Sequence, residues 1–295
     1  MACLGRATVD TVTKSKLEIV PLTTHIGAEI RGIDLRERPD EATVKAIYQA
    51  WLDHLVIVFP GQKLSQEDLI RATSFFGALG ELSRPPKFYP PGFSRMLPGI
   101  MLISNIRENG EPIGALPDGE MMFHHDMIHR EVPSKGTLLY SVEIPTHGGN
   151  TLFASGYAAY DTLDKNVRDR LEGKRALHHY NYGNQQRGSG GGTEAFNEFV
   201  HPVFRTHEET QRKAVYVNRL MTMHVEDMDP KESDELLNAV FDHAEKPEFV
   251  YEHVWRVGDL LLWDNRCSSH ARTDFPADQR RLMLRTTVTG TVRPY

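Results

Sequence analysis

Short apolar runs broken by glycine and proline dominate the chain, and only a few windows carry helical spacing. Near the start, Ile26-Gly27-Ala28 and Ile30-Arg31-Gly32-Ile33 place turn-prone glycines between apolar residues, a pattern that predicts short strands. Asp40 can cap a helix in which Val44, Ile47, Trp51 and Leu55 recur at helical spacing. The run Val56-Ile57-Val58-Phe59 then predicts a strand that ends at Pro60-Gly61. Ser65 and Asp68 fit a capping box for a second helix, expected to stop at Gly77. Prolines 85, 86, 90, 91 and 98 make residues 83–99 a loop, whose Phe88 and Tyr89 either cover a pocket or fasten the loop to the core.

Strand patterns resume at Met101-Leu102-Ile103-Ser104 and over residues 137–142. After the latter, Gly148-Gly149-Asn150 followed by Thr151-Leu152-Phe153 reads as a β-hairpin. Residues 157–163 and 164–171 have helical patterns, the second stopping near Gly173. Residues 176–199 contain Gly188-Ser189-Gly190-Gly191-Gly192 and have the composition of a mobile flap. Pro230 opens a helix with Leu236, Leu237, Val240, Phe241 and Ala244 on one face. Strands over 249–255, 260–263 and 282–288 close the chain. Because helices gather in a few insertions and do not alternate with strands, the expected fold is mainly β with flanking helices, a jelly-roll core in one domain spanning 1–295.

Composition narrows the function without naming it. Of 295 residues, 40% are hydrophobic and 25% charged, ordinary for a folded soluble chain. A net charge of −6 offers no broad attraction for nucleic acid, so an anionic ligand has to be met by a few local arginines. Cys3 and Cys267 are too few for a disulfide framework, and neither a secretory segment in residues 1–16 nor an apolar run long enough for a bilayer is evident. The expectation is a cytoplasmic protein with a small-molecule partner rather than nucleic acid or a membrane.

The chemistry centres on Phe123-His124-His125-Asp126. In a strand, His124 and Asp126 share one face while Phe123 and His125 share the other. One imidazole and one carboxylate directed at a common point make two-thirds of a 2-His-1-carboxylate group, which holds divalent iron with coordination positions open. A second histidine must come from elsewhere among 14. His25, His54, His201, His207 and His243 are expected to be solvated, and strand parity excludes His125 and His129 unless the strand has ended by then. His178, His179, His224 and His253 stay open, with His270 the strongest candidate because the strand ending Leu262-Trp263 delivers it to a sheet edge. Farther on, Arg281, Met283 and Arg285 share strand parity while Arg280 points away, so two guanidinium groups can each clamp a carboxylate.

In this order the motifs resemble the TauD/TfdA family of Fe(II)- and 2-oxoglutarate-dependent dioxygenases over nearly the whole chain. They are the segment from Gly27 to Leu35, His124 and Asp126, Gly148-Gly149-Asn150-Thr151, Tyr216-Val217-Asn218, Gly258-Asp259-Leu260, Trp263-Asp264-Asn265-Arg266, His270 and the arginine strand. The resemblance implies a double-stranded β-helix, Fe(II) on His124, Asp126 and His270, and the far carboxylate of 2-oxoglutarate on Arg281 with Thr151. It also implies O2 as oxidant, a homo-oligomer, and Arg285 against a small anionic substrate such as an aryloxyalkanoate, another carboxylate or a sulfonate, the product fragmenting where the hydroxylated carbon bears a heteroatom. Phe123, His125, Tyr89 and Tyr182 are candidate walls of the substrate pocket. Two departures stand out: Phe123 replaces the family's usual Trp, and Ala78-Leu79-Gly80-Glu81-Leu82 lacks the histidine of taurine-cleaving members, which disfavours taurine. The other readings are a non-catalytic metal or small-acid binder on the same core and a cupin-type metal isomerase or hydrolase, against which Arg281 and Thr151 argue.

Overall fold

The computed structural model describes residues 17–82, 89–116, 119–180 and 197–295. Two sheets carry the architecture. The major sheet has seven strands in the order Glu18–Pro21, Ala28–Arg31, Val56–Phe59, Leu260–Asp264, Gly136–Glu143, Leu282–Val288 and Met101–Ser104. The minor sheet has four: Val250–His253, Thr151–Ser155, Ser268–Arg272 and Met121–His124. Pairings are antiparallel in both, except Ala28–Arg31 with Val56–Phe59.

Strand alternation divides the major sheet into two faces. Val56, Val58, Leu139, Leu261, Trp263 and Met283 point inward and pack with Phe153, Trp255 and Cys267. Ile57, Phe59, Leu138, Tyr140, Leu260, Leu262 and Leu284 point outward, under helix α1 (Glu41–His54) and helix α2 (Gln66–Ser74). Each such side chain, once fully buried, contributes roughly 1.5–3 kcal/mol of transfer free energy. Two facing sheets with helices on the outside are the expected jelly roll. Helices α3 (Gly156–Thr162), α4 (Lys165–Leu171) and α5 (Pro230–Ala244) share a third core with Val203, Phe204, Val215 and Val217.

Local signals placed the helix starts. Asp40 accepts from the Thr43 N–H at 2.8 Å, and Ser65 with Asp68 closes the capping box at 3.1 and 3.0 Å. Helix α2 ends at Ser74, earlier than Gly77. The hairpin expected around Gly148-Gly149-Asn150 is not formed, because Gly136–Glu143 lies in the major sheet and Thr151–Ser155 in the minor one. This connection is a crossover between sheets, and at Gly148 (φ 72°) an added Cβ would come 2.3 Å from the Asp274 carbonyl oxygen.

The ends of the expected flap are regular: Arg175–Tyr180 pairs with Asn197–Pro202. Residues 181–196, with Tyr182, lie outside the described residues, as does Phe88. Among the described residues no helix is long and apolar enough to cross a membrane.

Candidate metal centre and active site

His124 closes its strand directly opposite His270, and directly opposed residues on adjacent strands share a face. Their ring centroids are 4.1 Å apart. On its other side His270 lies opposite Phe153, a member of the inter-sheet core, so the shared face looks into the jelly roll. Asp126 gets there by another route. The strand ends at His124, and Asp126 opens a turn in which Met127 takes a φ of 61°. The turn, rather than the strand parity expected, brings the carboxylate to the two rings. Ligand atoms of His124, Asp126 and His270 all lie within 4.8 Å of one another.

The protonation states suit a cation. His124 Nδ1 lies 2.9 Å from the Met122 carbonyl oxygen, which only accepts, so Nδ1 carries the hydrogen and Nε2 is left bare. Burial lowers the pKa of both His124 and His270, keeping them as the neutral imidazoles that ligate metals. Burial pushes the Asp126 carboxyl up, but the Arg285 charge and the Thr137 hydrogen bond oppose it and hold the pKa below the usual range. A buried anion between two neutral rings is a ready divalent-cation site.

His125 sits apart from this group. It is 1% exposed, packs 4.9 Å from the Tyr216 ring, and its Nδ1 accepts from Asn218 Nδ2 at 3.2 Å. The amide orientation follows because Asn218 Oδ1 already accepts from the Met221 N–H. His125 is thus packed in the interior between Tyr216 and Asn218. Tyr89 stacks on Phe93 at 4.4 Å, and Phe93 lies against the outer core, so the loop-fastening alternative describes it. Phe123 is half-buried on its strand. Contrary to expectation, His201 and His207 are fully buried. His207 joins Asp264 and Cys267 in a second cluster of suitable spacing, but Arg266 Nε and Nη2 occupy the two Asp264 oxygens at 2.8 and 2.6 Å, which makes it an ion pair and not a metal site.

The arginines divide as strand parity foretold. Exposed Arg280 pairs with Glu143 at 2.6 Å. Arg281 is 2% exposed, its Nε has no hydrogen-bond partner, and burial with the neighbouring Arg272 charge lowers its pKa to about 9. A guanidinium so placed calls for a carboxylate. Thr151 Oγ1 accepts from Trp255 Nε1 at 3.0 Å, leaving its own O–H for another acceptor. Arg285 reaches Asp126 Oδ2 at 2.8 Å through Nη2, while its Nε is unpartnered. Sequence reading missed Thr137 and Asn265 as parts of the site. Their hydroxyl and amide are unremarkable in a strand and a turn, and only the fold sets Thr137 beside Asp126 and Asn265 beside Thr137.

Fold and donor set together define a double-stranded β-helix metalloprotein with a 2-His-1-carboxylate centre, open to oxygen chemistry. The family model described as taurine catabolism dioxygenase TauD, TfdA family, matches residues 18–287. An (S)-phenoxypropionate/alpha-ketoglutarate-dioxygenase of Sphingobium herbicidovorans is 30% identical over 92% of this chain and 95% of its own length. Pentalenolactone F synthase of Streptomyces avermitilis is 35% identical, covering 88% and 89%. The crystal structure of AAD-2 in complex with Mn(II) and N-oxalylglycine superposes with a TM-score of 0.77 at 29% identity, covering 95% of this chain and 100% of that one. The chain belongs to the TauD/TfdA family, and is a dioxygenase that uses Fe(II), 2-oxoglutarate and O2.

Proposed function

We propose that the chain hydroxylates a small organic acid with an apolar body, its carboxylate or sulfonate held by Arg285 and its reacting carbon held over His124, Asp126 and His270. The observation that carries this reading is the pair of inward arginines: Arg281 buried with no acidic partner among the described residues, and Arg285 beside the metal-facing carboxylate. Arg281, with Thr151, takes the far carboxylate of 2-oxoglutarate. Iron held by His124, Asp126 and His270 would, with 2-oxoglutarate and O2, couple decarboxylation to succinate and CO2 with hydroxylation, one oxygen atom of O2 entering succinate and the other the hydroxylated product. The residues bind, orient and exclude water. Leu82, Met101 and Met127 line the same pocket as Arg285, together with Glu81, Ser134 and Thr287, and offer apolar contacts to the rest of the acid. The names of relatives point the same way: one is a 2,4-dichlorophenoxyacetate dioxygenase of Cupriavidus pinatubonensis, 31% identical over 90% of this chain.

The decisive measurement is succinate release under air with a panel of aryloxy acids, aliphatic carboxylates, sulfonates and neutral analogues. Acids are expected to lead, and a neutral or cationic best substrate would overturn the role of Arg285. The reading treats the chain as one catalytic domain with a flap near 176–199, cytoplasmic and homo-oligomeric. An inter-sheet core shared by both sheets supports the first of these, and light scattering tests the last.

A further inference from the structure

We infer that Thr137, Asn265 and Trp263 are positioning residues that hold Asp126 so that one carboxylate oxygen, Oδ1, is presented to the metal. Hydrogen-bond chemistry fixes every direction along the chain. An indole N–H only donates, so the Asn265 atom 3.0 Å from Trp263 Nε1 is the amide oxygen. Its amide nitrogen then faces Thr137 and donates to Oγ1 at 2.9 Å. With that lone pair taken, Thr137 turns its single hydrogen to Asp126 Oδ2, 2.7 Å away. The amide orientation, often ambiguous, is settled here by the indole.

Arg285 Nη2 forms an ion pair with the same oxygen, at 2.8 Å. Oδ2 is thereby engaged twice, and Oδ1 is left for the cation. Thr137 and Asn265 are 0% exposed and Trp263 2%, so the chain of bonds runs in a low-dielectric interior where each is strengthened. The turn that carries Asn265 is itself pinned: its backbone N–H donates to the Lys135 carbonyl, and Arg266 clamps the preceding Asp264. Trp263 also packs on the His270 ring at a centroid distance of 4.7 Å. One indole therefore orients two of the three proposed ligands, one through packing and one through hydrogen bonds.

The inference rests on the reading of Asp126 as a ligand, and a Co(II) titration of the metal-free full chain, followed by visible ligand-field absorption, tests the two separately. Outer partners of metal ligands usually govern about 10- to 100-fold of affinity, so Thr137→Val is expected to weaken Co(II) binding at least about tenfold, and Thr137→Ser to restore it to within about threefold. Trp263→Phe keeps a ring against His270 and removes only the donor. It is expected to weaken Co(II) binding in the same direction, by a few fold, with an altered absorption envelope. Unfolding midpoints of the metal-free variants separate this from a loss of folding, and Thr137→Ser and Trp263→Phe still decide the matter if Thr137→Val does not fold. Unchanged Co(II) affinity in Thr137→Val, or equal weakening in Thr137→Ser, would overturn the positioning role while Asp126→Ala still loses metal. Wild-type affinity in Asp126→Ala would overturn the ligand reading and this inference with it.

Discussion

Two groups of buried histidines lie side by side in this protein, and both begin in the dipeptide His124-His125. One group is His124 with His270, the other His125, His129, His178 and His201. Burial lowers the pKa in both groups, so desolvation does not tell them apart. What differs is the company. His124 and His270 converge with a carboxylate, whereas in the second group His125 accepts from Asn218, His178 Nδ1 meets the Thr222 hydroxyl at 3.1 Å, and His201 Nε2 donates to the Arg130 carbonyl at 2.8 Å. Among the described residues no acid completes a metal-spaced cluster there. Unpartnered ring nitrogens occur in both groups, so it is the converging anion, more than a histidine count, that separates a metal site from a packed polar core.

The comparison breaks most sharply at the ligands. Asp126→Ala and His270→Ala are each expected to lower turnover by more than about 100-fold, beyond the loss typical of outer partners, as read by succinate release. Arg281→Ala comes next. Losing a charge-assisted pair costs about 2 kcal/mol, so the 2-oxoglutarate KM should rise roughly 30-fold with little change in the substrate KM. An unchanged 2-oxoglutarate requirement would remove Arg281 from the cosubstrate site.

His125→Ala sharpens the contrast from the other side. It should leave Co(II) affinity unchanged yet lower stability by about 2 kcal/mol in urea unfolding, through a cavity and an unpaired Asn218 amide. Metal loss in this variant would join the two groups into one site. The smallest effect is on pH. Burial holds His178 well below 6.5, with His201, His125 and His129 adding to it. Burial, with Arg205, Arg175 and Arg293, lowers His201 to about 4 despite its bond to the Arg130 carbonyl. Folded-state pKa values below the unfolded ones mean that the unfolded chain binds more protons as pH falls through 6.5. Stability is thus full above that value and should fall by about 1–2 kcal/mol between pH 6 and 5, down to the folded pKa of His201. Denaturation midpoints that stay flat across this interval would show these imidazoles to be solvated.

Much of the site was readable in the chain because its residues are local or periodic. Arg285 lies on the strand Leu282–Val288 and Arg281 immediately before it, and Arg281 is buried while Arg280 is exposed, the division that alternation along the sequence suggests. His124, Asp126 and His270 were legible as a set through their order along the chain. The solvated role given to His207 failed because its neighbours in sequence are polar while the elements that cover it come from elsewhere, and that given to His201 failed although Phe199, Val200, Val203 and Phe204 beside it already signalled burial.

The chain by itself determined the helix caps at Asp40 and Ser65, the alternation that gives the major sheet an inner and an outer face, and the ligand and arginine motifs. Each depends on side chains within a few residues of one another. Tertiary structure alone decided that Gly148-Gly149 crosses between sheets, that a turn and not a strand delivers Asp126, and that Trp263, Asn265 and Thr137 form a hydrogen-bonded chain ending on one oxygen of that carboxylate. Thr137 and Asn265 are separated by 128 positions. No local propensity encodes such a contact; it exists only when adjacent antiparallel strands fix the register in which hydroxyl, amide and carboxylate meet.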